Sequence, residues 1–71
     1  MTVTLRSVEA NGYYIDITQE KYESTYVVMI CPMYDESRCG YPISRTIYDT
    51  MEKANKRFNY LKRVVERGEY Q

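Results

Sequence analysis

From Thr46 to Gly68 the residues Ile47, Met51, Ala54, Phe58, Leu61 and Val65 recur at alternating steps of four and three. Residues so spaced share one face of an α-helix, because 3.6 residues complete a turn. The spacing predicts a helix over about residues 47–67. Thr46 is a suitable N-cap, with Asp49 three residues on in a capping-box arrangement. Gly68 is a suitable C-terminal stop and leaves the last three residues as a frayed tail. The stripe also fits a coiled-coil seam, but it lasts under three heptads and contains the small Ala54. Tyr48, Tyr60 and Val64 flank it and widen it, which favours packing on a sheet.

Upstream the period changes from 3.6 to 2. Residues 3–9 alternate as a strand, with Val3 and Leu5 on one side. Asn11-Gly12 follows, a pair that accepts the positive φ angles of a type I′ hairpin turn. Residues 13–19 form the partner strand: Tyr13, Ile15 and Ile17 point one way, and Tyr14, Asp16 and Thr18 the other. Polar residues 20–24 make the next turn. Residues 25–33 read as a third strand that is apolar on both faces from Tyr26 to Cys31. Pro32 ends or edges it, because proline cannot donate a ladder hydrogen bond. After a polar loop over 34–40, residues 41–45 make a short fourth strand at an edge.

The fold expected is therefore α+β, in one domain covering residues 1–71. An antiparallel meander of three to four strands precedes one long C-terminal helix packed on one sheet face. One helix covers one face of a small sheet, so the doubly apolar third strand needs a second cover. A second copy of the chain is the simplest, and a homodimer is the expected state. The alternative is capping by tyrosine rings and long side chains. Seventy-one residues bury a modest core, and chains of this size often depend on a disulfide, a metal or a partner.

Charge changes the picture little in sum and more in distribution. Ten basic residues balance ten acidic ones, which argues against a chain whose whole surface binds nucleic acid or an anionic membrane. Residues 1–45 hold four bases and six acids, and residues 46–71 hold six bases and four acids. The helix is the basic element, a pattern that matches acids early and bases late to the helix dipole. The longest apolar run, Tyr26 to Cys31, is too short to span a bilayer. The first residues carry no signal-peptide apolar region, so a cytoplasmic protein is expected.

Candidate chemistry is sparse. There is no histidine, so the commonest general base and every histidine-containing metal site are missing. Cys31 and Cys39 supply two of the four ligands a cysteine zinc site needs. Cys31 reads as a small core residue and Cys39, near Arg38, as the more reactive thiol. Asp35-Glu36 reads as a solvated pair of acids, and the three glycines build no phosphate cradle. No catalytic residue, metal site or cofactor is expected.

Two surfaces remain. Nine tyrosines suit half-buried sheet positions and interfaces. Tyr14 and Tyr26 are the candidate partner-binding residues, on the sheet face away from the helix. The reading that follows is a non-catalytic protein-interaction module, a homo-oligomer or the partner of another protein. The alternative is nucleic-acid binding, with Arg6 among tyrosines on the open face and with Lys53, Lys56 and Arg57 gathered early in the helix. Asp16, Glu20 and Glu23 near the same sheet count against it.

Overall fold

A computed structural model of the chain describes residues 2–35 and 38–70. Its elements run β1 Thr2–Ala10, β2 Tyr13–Glu20, β3 Tyr26–Asp35, β4 Arg38–Cys39, β5 Ser44–Tyr48 and α1 Met51–Glu66. All strand pairings are antiparallel. β1, β2 and β3 lie in sequence order, and β5 and β4 share the far edge of β3. β5 pairs with its first half, from Tyr26 to Ile30, and β4 with its outer end. The helix lies across one face. The expected architecture, a meander followed by one helix packed on the sheet, is present.

The Asn11-Gly12 turn forms as its sequence predicts. Asn11 has φ 47° and Gly12 φ 82°, the left-handed values a type I′ turn requires. Asn11 has a second task. Its side-chain amide donates to the carbonyls of Val65 at 2.7 Å and Glu66 at 3.2 Å. Those carbonyls are among the last of α1, which have no partner within the helix. One residue thus shapes the first hairpin and caps the last helix.

The core is a row of pairs. Ile15 faces Ile30 and Ile17 faces Val28 across β2 and β3, and all four are buried. Ala54, Phe58, Leu61 and Val65 of α1 close over them and are equally buried. Four of the six residues in the predicted stripe therefore form the helix side of the core. Met51 is half-buried at its edge.

Ile47, the sixth, belongs to β5 and faces Val27. The helix starts four residues later than the periodicity suggests. Thr50 is the N-cap, with extended backbone and a hydroxyl accepting from the Lys53 amide at 3.2 Å. Thr46, the predicted cap, pairs with Val28 instead. Both threonines suit a cap chemically. The ladder to β3 decides between them, since it satisfies backbone groups of residues 44–48 that a helix start would leave open. The fourth strand is correspondingly shifted from 41–45 to Ser44–Tyr48.

The helix ends at Glu66 with Arg67 as its C-cap, close to the expected end. Gly68, at φ 72°, donates to Val65 at 3.0 Å and Glu69 donates to Val64 at 2.9 Å, the paired bonds of a Schellman ending. The tail does not fray at once. Tyr70 packs against the core, with its ring edge-on to Tyr13 at 5.2 Å. Gln71 lies outside the described residues.

Two strand expectations also change. β3 runs through Pro32 to Asp35. The carbonyl of Pro32 accepts from Gly40 at 2.7 Å, so its nitrogen faces the gap between β5 and β4, where no ladder donor is needed. A Cβ on Gly40 would lie 2.9 Å from the Pro32 ring, so this close return of the chain requires glycine. In β1 the register slips between Thr4 and Arg6. That bulge breaks the alternation, leaving Val3 and Leu5 exposed while Arg6, Val8 and Ala10 turn toward the helix.

The seat of Phe58 sets the first expected outcome. Phe58→Ala removes the largest buried side chain and is expected to cost about 3–5 kcal/mol. In a domain of this size that is most of the stability, so the variant should lack a cooperative melt at 37 °C, as followed by circular dichroism. Asn11→Gly keeps the turn but deletes both bonds to the helix end. A loss of about 1–2 kcal/mol in urea unfolding is expected, and an unchanged midpoint would show that the cap does not stabilise the fold.

Candidate functional site

The fold leaves the sheet face opposite the helix uncovered. Its composition follows from strand parity. Residues that alternate with the core positions point away from α1, and the ladders place them in rows. The middle row runs Ser7, Asp16, Met29, Arg45 across β1, β2, β3 and β5. On one side lies Thr4, Thr18, Val27, Ile47 and on the other Glu9, Tyr14, Cys31. Ile47 is 53% exposed, and Ile43, just before β5, is 50% exposed. Val27, Met29 and Cys31 are half-buried by their neighbours alone. The strand predicted to be apolar on both sides is so, and its outer half lines this face.

A shallow depression of about 180 Å³ sits on the face. Thr18, Glu20, Val27, Met29, Arg45 and Ile47 line it. Two others lie at the hairpin end of the sheet. One is bounded by Asn11, Gly12, Tyr13 and Met33, and one by Tyr34, Gly40, Tyr41 and Pro42. None brings a nucleophile together with a base. Among the described residues no three histidine, cysteine, aspartate or glutamate side chains gather as metal ligands would.

Asp16 is the unusual group on this face. One carboxylate oxygen, Oδ1, is buried and accepts no hydrogen bond. Burial holds its pKa above the ordinary aspartate value, because the charged form loses water without gaining a donor. Its cross-strand neighbours are Ser7 and Met29. Arg45, the cation nearest in the row, stands two strands away with Met29 between them. The guanidinium of Arg45 is exposed and has no hydrogen bond or ion pair among the described residues.

The sulfur groups lie toward the hairpin end of the same face. The Cys39 thiol donates to the Met33 thioether at 3.1 Å. Cys31 and Cys39 are both free. Burial pushes the Cys31 thiol up, with smaller contributions in the same direction from Cys39 and Asp16. Cys31 is therefore a protonated, poorly nucleophilic thiol at neutral pH. Glu36 and the Arg38 side chain lie outside the described residues.

The residues singled out from the sequence separate. Tyr14 is on the open face, opposite Cys31. Tyr26 is on the other one, packed against the core and paired with Tyr48. Parity explains this: Tyr14 pairs with Cys31, and Tyr26 stands an odd five residues from it. Arg6 also lies on the helix side. It donates to Asn55 at 2.7 Å and Asn59 at 3.4 Å, and its guanidinium stacks 4.2 Å above the Phe58 ring, a cation–π contact that roofs the core.

On the helix, Lys53 pairs with Asp49 at 3.0 Å and Lys56 with Glu52 at 3.9 Å. Both pairs are widely exposed, so their contribution to stability is small. Arg57 leans over Tyr60. Lys53 and Lys56 thus have acidic partners, although α1 as a whole carries five bases and two acids. Met29 and Arg45 were not among the sequence candidates, and Asp16 was read only as an acid opposed to nucleic acid. Asp16 alternates with two core isoleucines, which does assign its face. The ladder that sets it beside Met29 depends on the turn at 20–25 and is not encoded locally.

The raised pKa of Asp16 fixes a sign. A carboxyl whose folded pKa exceeds its unfolded one stabilises the fold below the unfolded value, and that contribution is lost as pH rises through the folded value. Asp16→Asn should therefore raise the melting temperature of the dilute protein at pH 7 and leave it nearly unchanged near pH 3. Equal melts at pH 7 would mean that the carboxylate is not penalised. Comparison of the chain with protein-family models, with curated proteins and with solved structures finds no match.

Proposed function

We propose that this chain is a non-catalytic protein-interaction module that docks through its open sheet face, with a homodimer as its working state. The observation that carries the reading is the makeup of that face. Apolar side chains from β3 and β5 lie beside a carboxylate oxygen that is shut off from water and has no donor. A lone exposed apolar residue is ordinary, whereas a contiguous apolar patch ringed by polar groups marks contact surfaces. Tyr14, on the same face, supplies the aromatic edge that protein interfaces favour.

Nucleic-acid binding through Arg6, Lys53, Lys56 and Arg57 has weaker support. Arg6 is engaged by Asn55 and Phe58, and two of the three helix bases have acidic partners. The open face itself carries Glu9, Asp16 and Glu20 against Arg45.

Light scattering across protein concentrations tests the reading. Ile47→Lys places a charge on an exposed position of the face and should weaken self-association at least about tenfold, while leaving the far-ultraviolet spectrum and the melt of the dilute monomer unchanged. Tyr14→Ser should weaken it by less. The double variant Lys56→Glu, Arg57→Glu should leave it intact. Salt-sensitive binding of single-stranded RNA that this double variant abolishes would replace the reading with the nucleic-acid one.

A further inference from the structure

Asp16 and Arg45 share a row of the sheet, separated by Met29 on the strand between them. With neighbouring strands about 4.8 Å apart, the two backbones stand roughly 9–10 Å apart, and among the described residues the two side chains do not pair within one chain. Each lacks what the other has. Asp16 Oδ1 is buried without a donor, and Arg45 holds five N–H donors in the open. A buried polar group without a partner requires an explanation, and a second copy of the row supplies one.

Two copies that meet through this same face are related by a twofold axis lying between the sheets, as isologous contacts require. Two orientations keep the strands roughly aligned, which is the favoured way for sheets to pack. If the axis runs across the strands, Asp16 comes to face Asp16 and Arg45 faces Arg45. If it runs along β3, over Met29, the row is reversed onto itself. Met29 then meets Met29, and each Asp16 meets the Arg45 of the other copy. Only the second arrangement satisfies both groups.

We infer that the partner of the open face is a second copy of this chain, docked about a twofold axis along β3 so that Asp16 of each copy receives Arg45 of the other. The inference rests on the interaction-module reading above and deepens it. The remaining residues agree with it. Val27 and Cys31 flank Met29 on the axis strand and meet their own counterparts. Ile47 is carried onto Thr18, whose exposure is 7%. Glu9 on β1 falls beyond the partner's β5, at the rim, and Glu20 lies near the far end of β2, so neither is brought onto an acid at the centre.

The size also suits. The molecule measures 33 × 23 × 16 Å, so its broad side is of the order that a standard interface buries, about 800 Å² on each partner. The pairing places a guanidinium against a carboxylate away from bulk water, where charge-assisted hydrogen bonds are strongest. The apolar rows on either side exclude water from it, as neutral contacts do around a central anchor.

The experiment is a charge exchange read by sedimentation equilibrium. Arg45→Asp sets two pairs of like charges against each other and should weaken the dimer at least about tenfold. Arg45 is exposed, so the fold should persist. The double variant Asp16→Arg, Arg45→Asp restores opposite charges with their positions exchanged, and its affinity should return to within a few-fold of the natural chain. Asp16→Asn separates the interface role from a structural one: it should stabilise the monomer yet weaken the dimer.

Cross-linking keeps the test decisive should the double variant not fold. In a Cys31→Ser, Cys39→Ser background the paired changes Tyr14→Cys and Ile43→Cys, which lie two strands apart within one chain, should yield a disulfide between copies on mild oxidation, and not after Arg45→Asp. A dimer that Arg45→Asp leaves unchanged, or one that the cysteines at positions 14 and 43 do not cross-link, overturns this arrangement and leaves the interaction-module reading standing. A natural chain that stays at its monomer mass of 8.5 kDa at every concentration overturns the self-pairing, and with it the homodimer.

Discussion

The rest of this fold depends on the seating of Phe58 over the four β-branched residues of β2 and β3. Ile15, Ile17, Val28 and Ile30 present a stiff, continuous surface, because branching at Cβ restricts their rotamers. Phe58 is the single phenylalanine of the chain and fills the centre of the space between that surface and the helix. Arg6 lies across its outer side and is tied to Asn55 and Asn59. A cation thus closes a hydrophobic core and joins the edge strand to the helix. Its alkyl stem covers apolar surface while its guanidinium stays hydrogen-bonded. In a domain this small each such contact is a sizeable share of the stability, so one of the four bases named for nucleic-acid contact has a structural task.

The same seating decides what remains outside. Because α1, the one helix among the described residues, sits on one face, every residue that alternates with the core in β2 and β3 is left on the other. Alternation in β2 is clean: isoleucine inside, and tyrosine, aspartate and threonine outside. In β3 it is not, since Val27, Met29 and Cys31 are apolar where a solvated strand would be polar. That departure is the physical origin of the functional reading. It also explains Asp16, whose carboxylate loses water to the flanking side chains of a strand that is unusually apolar on that side.

Much of the fold was legible in the sequence, and the failures have definite causes. Asn11-Gly12, the helix stripe from Met51 to Val65 and the Gly68 stop are local signals, and all three appear in the structure. The start of the helix was misplaced because Ile47 keeps the stripe's phase by coincidence, and because Thr46 and Thr50 are equivalent caps until the β5 ladder claims the first. Arg6 and Tyr26 were both expected on the open face, Tyr26 in a strand apolar on both sides, which gives no alternation to assign it. The bulge in β1 and the register of β3 against β2 place both on the helix side, and neither is visible in local composition. Of the candidate site, the doubly apolar third strand and Tyr14 were readable. The row that joins Asp16, Met29 and Arg45 arises from three strands and exists only once they pair.

Asn11 gives the fold an order in time. Its side chain needs the carbonyls of Val65 and Glu66, the last turn to be synthesised before Gly68. The first hairpin therefore leaves the ribosome with its turn residue unsatisfied, and with Ile15 and Ile17 lacking their cover until the helix has followed. The hairpin and the helix are therefore not separable structural units: the turn of one caps the other, and the core residues of β2 are covered only by α1.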